Sequence, residues 1–86
     1  MTQIPFVFTA HARTVATERG IRDKWIARAL GEPFRVEPDE SDAALTHALA
    51  VVPEHGGRTL RVVYNHQVTP WRIVTVFFDR RARRTA

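Results

Sequence analysis

Four histidines, His11, His47, His55 and His66, are the side chains of this sequence best suited to moving protons near neutral pH. With no cysteine in the chain, neither a thiolate nucleophile nor a Cys-based zinc site is open to it. The histidines form no i,i+4 pair, so no metal is expected. No Gly-rich phosphate loop, Ser nucleophile elbow or pair of catalytic carboxylates can be found. What remains is histidine combined with arginine, and that pairing suits metal-independent cleavage of RNA. One group must take the 2′-OH proton, one must offset charge on the phosphorane, and one must protonate the leaving 5′-oxygen. His11 and His47 are the candidates for the proton steps. Arg61 and Arg19 are the candidates for the phosphate, through bidentate contacts. No cofactor is called for.

Bulk properties permit that chemistry without pointing to it. The 86 residues hold one core and no second domain, and 44% hydrophobic with 26% charged residues is ordinary for a globular chain. No apolar run is long enough to span a membrane, and the N-terminus has no signal-peptide pattern, so a cytoplasmic location is expected. The net charge of +4 is local. Arg80, Arg81, Arg83 and Arg84 account for it, leaving nine cations against nine acids over residues 1–79. A domain at 1–79 with a basic tail at 80–86 is the expected organisation, and the tail would attract polyanions.

Thr9 is a good N-cap for a helix over Ala10–Arg19, with Gly20 as its C′ residue. Phe8, Ala12, Val15 and Ala16 make its apolar face; Arg19 falls in the middle of that face and His11 on its edge. A second helix over Asp23–Leu30 carries Trp25, Ile26, Ala29 and Leu30 on one stripe and stops at Gly31 and Pro33. Phe34–Val36 reads as a short strand and 37–42 as a solvated acidic loop. Ala43–Val52 fits either a strand, with Leu45, His47, Leu49 and Val51 on one face, or a helix capped by Ser41 or Asp42. Glu54–Gly57 reads as a hairpin turn. Thr59–Asn65 and Trp71–Asp79 are clear strands, rich in β-branched and aromatic residues. In the latter, alternation leaves both faces apolar, which predicts a central strand.

Four patches, FTAHARTVATERGI at 8–21, HALAVVPE at 47–54, LRVVYN at 60–65 and RIVTVFFDRR at 72–81, together resemble the 4258 family of domains of unknown function. That family is similar in fold to the RelE and ParE toxins and to the barnase and RelE group of small metal-independent ribonucleases. The resemblance implies that the 43–52 segment is a strand. It implies an α+β fold in which two N-terminal helices pack on a three- to four-stranded antiparallel sheet. It also matches His11 and Arg13 near the start of the first helix, Arg19 at its end, His47, Arg61 and Thr75 on strands, and Asp79, Arg80 and Arg81 after the last one. Arg22 departs from the pattern, which has Ser or Thr opening the second helix.

The expected function is therefore a toxin-type RNA endonuclease. His11, His47 and Arg61 would be catalytic, and Arg13, Arg19, Thr75, Arg80 and Arg81 would hold substrate. Helix 1 would have to cross the sheet to bring His11 to His47 and Arg61. RNA, an antitoxin protein and a second copy of the chain are the expected partners. Each residue also has a plainer reading: His47 between Leu45 and Leu49 as a hydrogen-bonded core histidine, Arg19 as a brace on sheet carbonyls, Thr75 as a strand former. His55 and His66 are expected in solvated turns, and Tyr64 and Trp25 in the core. A non-catalytic binding module and a homo-oligomeric structural domain are the rival functions.

Overall fold

Successive β-branched and aromatic residues lay down two long antiparallel hairpin partners, and the rest of the sheet grows outward from them. The structure is a computed structural model and describes residues 4–82. In chain order it comprises β1 (Phe6–Phe8), α1 (Ala10–Glu18), α2 (Asp23–Gly31), β2 (Arg35–Pro38), β3 (Leu45–Val52), a 3-10 turn (Pro53–His55), β4 (Arg58–Asn65) and β5 (Trp71–Phe78). The sheet order is β1-β5-β4-β3-β2. β2 through β5 pair antiparallel, and β1 joins β5 in parallel. The expected α+β class and both helices are present. The sheet, however, has five strands and is mixed, where three or four antiparallel strands were expected.

Both helix starts follow from their caps. The Thr9 side chain accepts from the Ala12 amide, as an N-cap should. Arg22 at the start of α2 makes no side-chain cap bond, which is the cost of lacking Ser or Thr there. α1 ends in a Schellman turn: Gly20 N–H donates to Thr17 O and Ile21 N–H to Ala16 O. Gly20 adopts φ +66° to do so.

Only one face of the sheet is covered by helices. Ala48, Ala50 and Val52 of β3, Leu60, Val62 and Tyr64 of β4, and Ile73 and Val76 of β5 pack with Ala12, Val15, Ala16, Trp25, Ile26, Ala29 and Leu30. α1 lies on β5 and β1; α2 lies on β3 and β4. The small side chains of Ala48 and Ala50 let α2 approach closely. The alternate residues point away from the helices. In lateral rows these are Glu37–His47–Val63–Thr75 and Arg35–Leu49–Arg61–Phe77. A bulge separates the two parities of β5: Tyr64 pairs with Ile73 and Val63 with Thr75, leaving Val74 as the extra residue. The even alternation predicted for β5 therefore breaks at Val74. β5 is interior to the sheet, as predicted, lying between β1 and β4, although β1 covers its outer side only along Trp71–Ile73.

Candidate functional site

The helix-free face of the sheet carries a connected polar network. Glu37 is the penultimate residue of β2, and His47 stands opposite it on β3. Arg61 on β4 is one row along, in register with Leu49. Arg61 Nη1 donates to His47 Nδ1 at 2.9 Å and to Glu37 Oε1 at 3.1 Å. Its Nε donates to Asp79 Oδ2 at 2.8 Å. On the far side of the imidazole, His47 Nε2 lies 2.7 Å from Asp39 Oδ1. A guanidinium cannot accept, so Nδ1 must be the acceptor and Nε2 the protonated nitrogen; this tautomer follows from the hydrogen-bond pattern. Arg61, Asp79 and His47 side chains are 14%, 17% and 18% exposed, so this network is largely withdrawn from water.

Local chain geometry fixes each member. Asp39 follows the end of β2, where its amide donates to Leu45 O and its Oδ2 accepts from the amides of Ser41 and Asp42. The bond from His47, assisted by those two amides, holds the Asp39 carboxyl below the usual aspartate range. At Asp79, burial works to raise the carboxyl. The amides of Arg81 and Ala82 and the Arg61 guanidinium outweigh it, and the net shift is downward. Glu37 Oε2 also lies 3.1 Å from Arg35 Nε, although that nitrogen is not aligned to donate. Of Arg61's nitrogens, Nη2 alone has no partner among the described residues, and it is not among the buried unpaired atoms.

A model of a domain of unknown function, DUF4258, matches residues 8–78. The chain belongs to the DUF4258 family. No curated protein and no solved structure matches it. The DUF4258 match takes in Glu37, Asp39, His47 and Arg61 and ends one residue before Asp79, the acid that anchors Arg61.

Of the residues singled out by sequence in this DUF4258 domain, His47 and Arg61 come together and His11 does not join them. Helix α1 packs on the opposite face from His47 and Arg61, so the crossing that would bring His11 to them does not occur. His11 Nε2 instead stands 3.5 Å from Thr75 Oγ1, at the outer edge of β5. Thr75 is two strands from His47, about 10 Å at the usual interstrand spacing. Arg19, placed by periodicity on the apolar face, is exposed and donates from Nη1 to Val76 O at 2.7 Å. Arg13 pairs with Asp23 at 3.2 Å and lies over the Phe8 ring at 3.8 Å. Arg80 and Arg81 are exposed, and the Arg81 amide closes the Asp79 turn. That turn buries Ala82, so the body of the domain runs past 79; Arg83 and Arg84 lie outside the described residues.

Two acids of the network escaped sequence reasoning. By sequence Glu37 and Asp39 belong to a solvated loop, yet they flank Pro38 with the two-residue spacing of one strand face, which is the available signal. His55 also departs from expectation: its ring stacks on Phe78 at 4.6 Å and neighbours Trp25 at 5.6 Å. His66 is exposed, as expected for a turn. Tyr64 is buried and stacks on Trp71 at 5.0 Å, and burial raises its phenol above the ordinary value. Among the described residues no three His, Asp or Glu side chains gather to hold a metal ion. No helix among them is long and apolar enough to cross a membrane.

Proposed function

We propose that the DUF4258 domain is a metal-independent, RelE-type ribonuclease that takes RNA on its helix-free sheet face. The observation that supports this reading is the Asp39–His47–Arg61 chain: an imidazole oriented at Nε2 by a carboxylate and held at Nδ1 by a guanidinium with a nitrogen to spare. A phosphodiester competes for that guanidinium, because two parallel charge-assisted bonds to phosphate oxygens replace one bond to a neutral ring nitrogen and one to the partly exposed Glu37 carboxylate, while Nε keeps Asp79. When Arg61 turns Nη1 to the phosphate, His47 Nδ1 is released as a base. It accepts the 2′-OH proton while the 2′-oxygen attacks phosphorus. The P–O5′ bond breaks, the 5′-oxygen takes a proton from water, and a 2′,3′-cyclic phosphate remains. Asp39 stabilises the imidazolium so formed. Toxin-type action of this kind implies a cytoplasmic RNA substrate and an antitoxin partner.

The test is to incubate the protein with unstructured RNA in chelator and assay the termini. Cyclic phosphates are expected, with a loss of about 10²–10⁴-fold for His47→Ala. Intact RNA with wild-type protein, or wild-type rates for His47→Ala, would refute the reading. That both ring nitrogens of His47 are already partnered favours one alternative, a non-catalytic RNA-binding module braced by the same network. Its signature is tight binding of RNA that stays intact.

A further inference from the structure

The outer side of β5 is the one long strand edge that α1, rather than a strand, attends to. β1 pairs only as far as Ile73. Beyond it, Thr9 Oγ1 donates to Val74 O at 3.3 Å and Arg19 Nη1 to Val76 O at 2.7 Å, so the two ends of α1 cap two carbonyls of the bare edge. Between those caps His11 Nε2 faces Thr75 Oγ1 at 3.5 Å. Thr75 and Val76 are consecutive, so the imidazole, the hydroxyl and the guanidinium meet one short stretch of strand. His11 and Arg19 are exposed. Among the described residues no carboxylate pairs with either. Arg19 spends one N–H on Val76 and has further donors in its guanidinium fork. The contrast with Arg61 is chemical: three carboxylates and an imidazole surround or chain to Arg61, whereas among the described residues no carboxylate bonds to the donors of this edge.

We propose that His11, Thr75 and Arg19 form a second phosphate subsite for the same single-stranded RNA, which would cross the sheet along the Glu37–His47–Val63–Thr75 row. This rests on the RNA reading above and gives that substrate a direction. The separation of about 10 Å between Thr75 and His47 is too large for one phosphate to serve both and suits a neighbouring phosphate of an extended strand. Phe77, half-buried and in register with Arg61, lies beside the row and offers a ring on which a base can stack.

The experiment is fluorescence anisotropy with a labelled 2′-O-methyl RNA hexamer, which lacks the nucleophilic 2′-OH and cannot be cleaved, over a series of salt concentrations. Arg19→Gln is expected to weaken binding about tenfold and to flatten the log–log salt slope by about 0.7, the share of one phosphate contact on a single strand. Thr75→Val, which removes only the hydroxyl, is expected to weaken binding three- to fivefold. Lys24→Gln, an equal loss of charge at an exposed position on α2, should leave both quantities unchanged. Unchanged affinity and slope in Arg19→Gln and Thr75→Val would overturn the subsite, as would an equal effect of Lys24→Gln. Cleavage of unmodified RNA by the wild type separates the two ideas. If the hexamer binds through Arg19 and Thr75 but RNA is never cut, the ribonuclease reading fails and the subsite stands. If RNA is cut and the slope ignores Arg19, the subsite alone fails. A wild type that does not bind the hexamer overturns both.

Discussion

Replacing Arg61 by methionine should destabilise the domain strongly, and the structure says by roughly how much. Methionine retains an unbranched stem over Leu49, its register neighbour on β3, so little packing is lost. What disappears is the donor set: the bonds to Asp79 at 2.8 Å, His47 at 2.9 Å and Glu37 at 3.1 Å. The Glu37 side chain is 38% exposed and regains water, so its share is small. Asp79 is the expensive loss. Its carboxylate stays withdrawn from solvent with only the Arg81 and Ala82 amides left to hold it. Charge-assisted bonds contribute about 1.5–3 kcal/mol each, and His47 Nδ1 also loses its donor. A net cost of about 2–4 kcal/mol follows, or roughly 10–25 °C in Tm for a domain of this size. Thermal unfolding followed by far-UV circular dichroism at pH 7 reads it directly. The pH dependence is a second signature. Because the folded Asp79 carboxyl lies below 3.8, its contribution is fully present above pH 3.8 and is lost as pH falls through the depressed value. The gap between wild type and variant should therefore be widest at neutral pH and narrow as the pH falls below 3.8. A Tm within about 3 °C of wild type at pH 7 would show that the network adds no stability.

Two further expectations are independent of that network. Glu54, paired with Arg28 at 2.6 Å, has its carboxyl lowered to about 2; a carboxyl-detected NMR titration should find that midpoint, and Arg28→Gln should move it up toward 4.5. The pair's contribution is then present above pH 4.5 and lost as pH falls toward 2, and an ordinary Glu54 midpoint in the wild type would disprove the pairing. Gly20→Ala meets no atom within 4 Å, so its cost is the left-handed backbone alone, about 1–2 kcal/mol, measurable as a drop in urea midpoint; a neutral result would mean the Schellman turn is dispensable.

Much of this fold was readable from local patterns, and the misreadings share a cause. Thr9, Gly20 and Gly31 marked the helix ends because capping is a local matter. β1 was missed because three residues, Phe6-Val7-Phe8, carry no periodicity, and the partner that makes them a strand is Trp71–Ile73. The bulge at Val74 was invisible for the same reason, since it is defined only against β4. The faces of β3 were the subtler trap. Alternation puts Leu45, His47, Leu49 and Val51 on one face without saying which face meets the helices; the alanines opposite, Ala48 and Ala50, lie beneath α2, and Leu49 is buried on the other face. Arg61 was legible, because it alternates with the core residues Leu60 and Val62. Its acidic partners were not, as Glu37 and Asp79 lie 24 and 18 residues away.

The parallel pairing of β1 with β5 also constrains how the domain can be made. Phe6–Phe8 and α1 come before every other element of the described residues, but the strand they lie on, and whose carbonyls Thr9 and Arg19 cap, comes after all of them. Until Phe78 has emerged, the nascent chain can close the β2–β3–β4 meander but must carry its first helix unmoored, with Ala12, Val15 and Ala16 in water. Contacts of such long sequence separation are entropically costly to reach and slow to form. The helix-free face is therefore completed in one late step, when β5 seats α1 and brings Asp79 to Arg61, so whatever activity that face has must wait for β5.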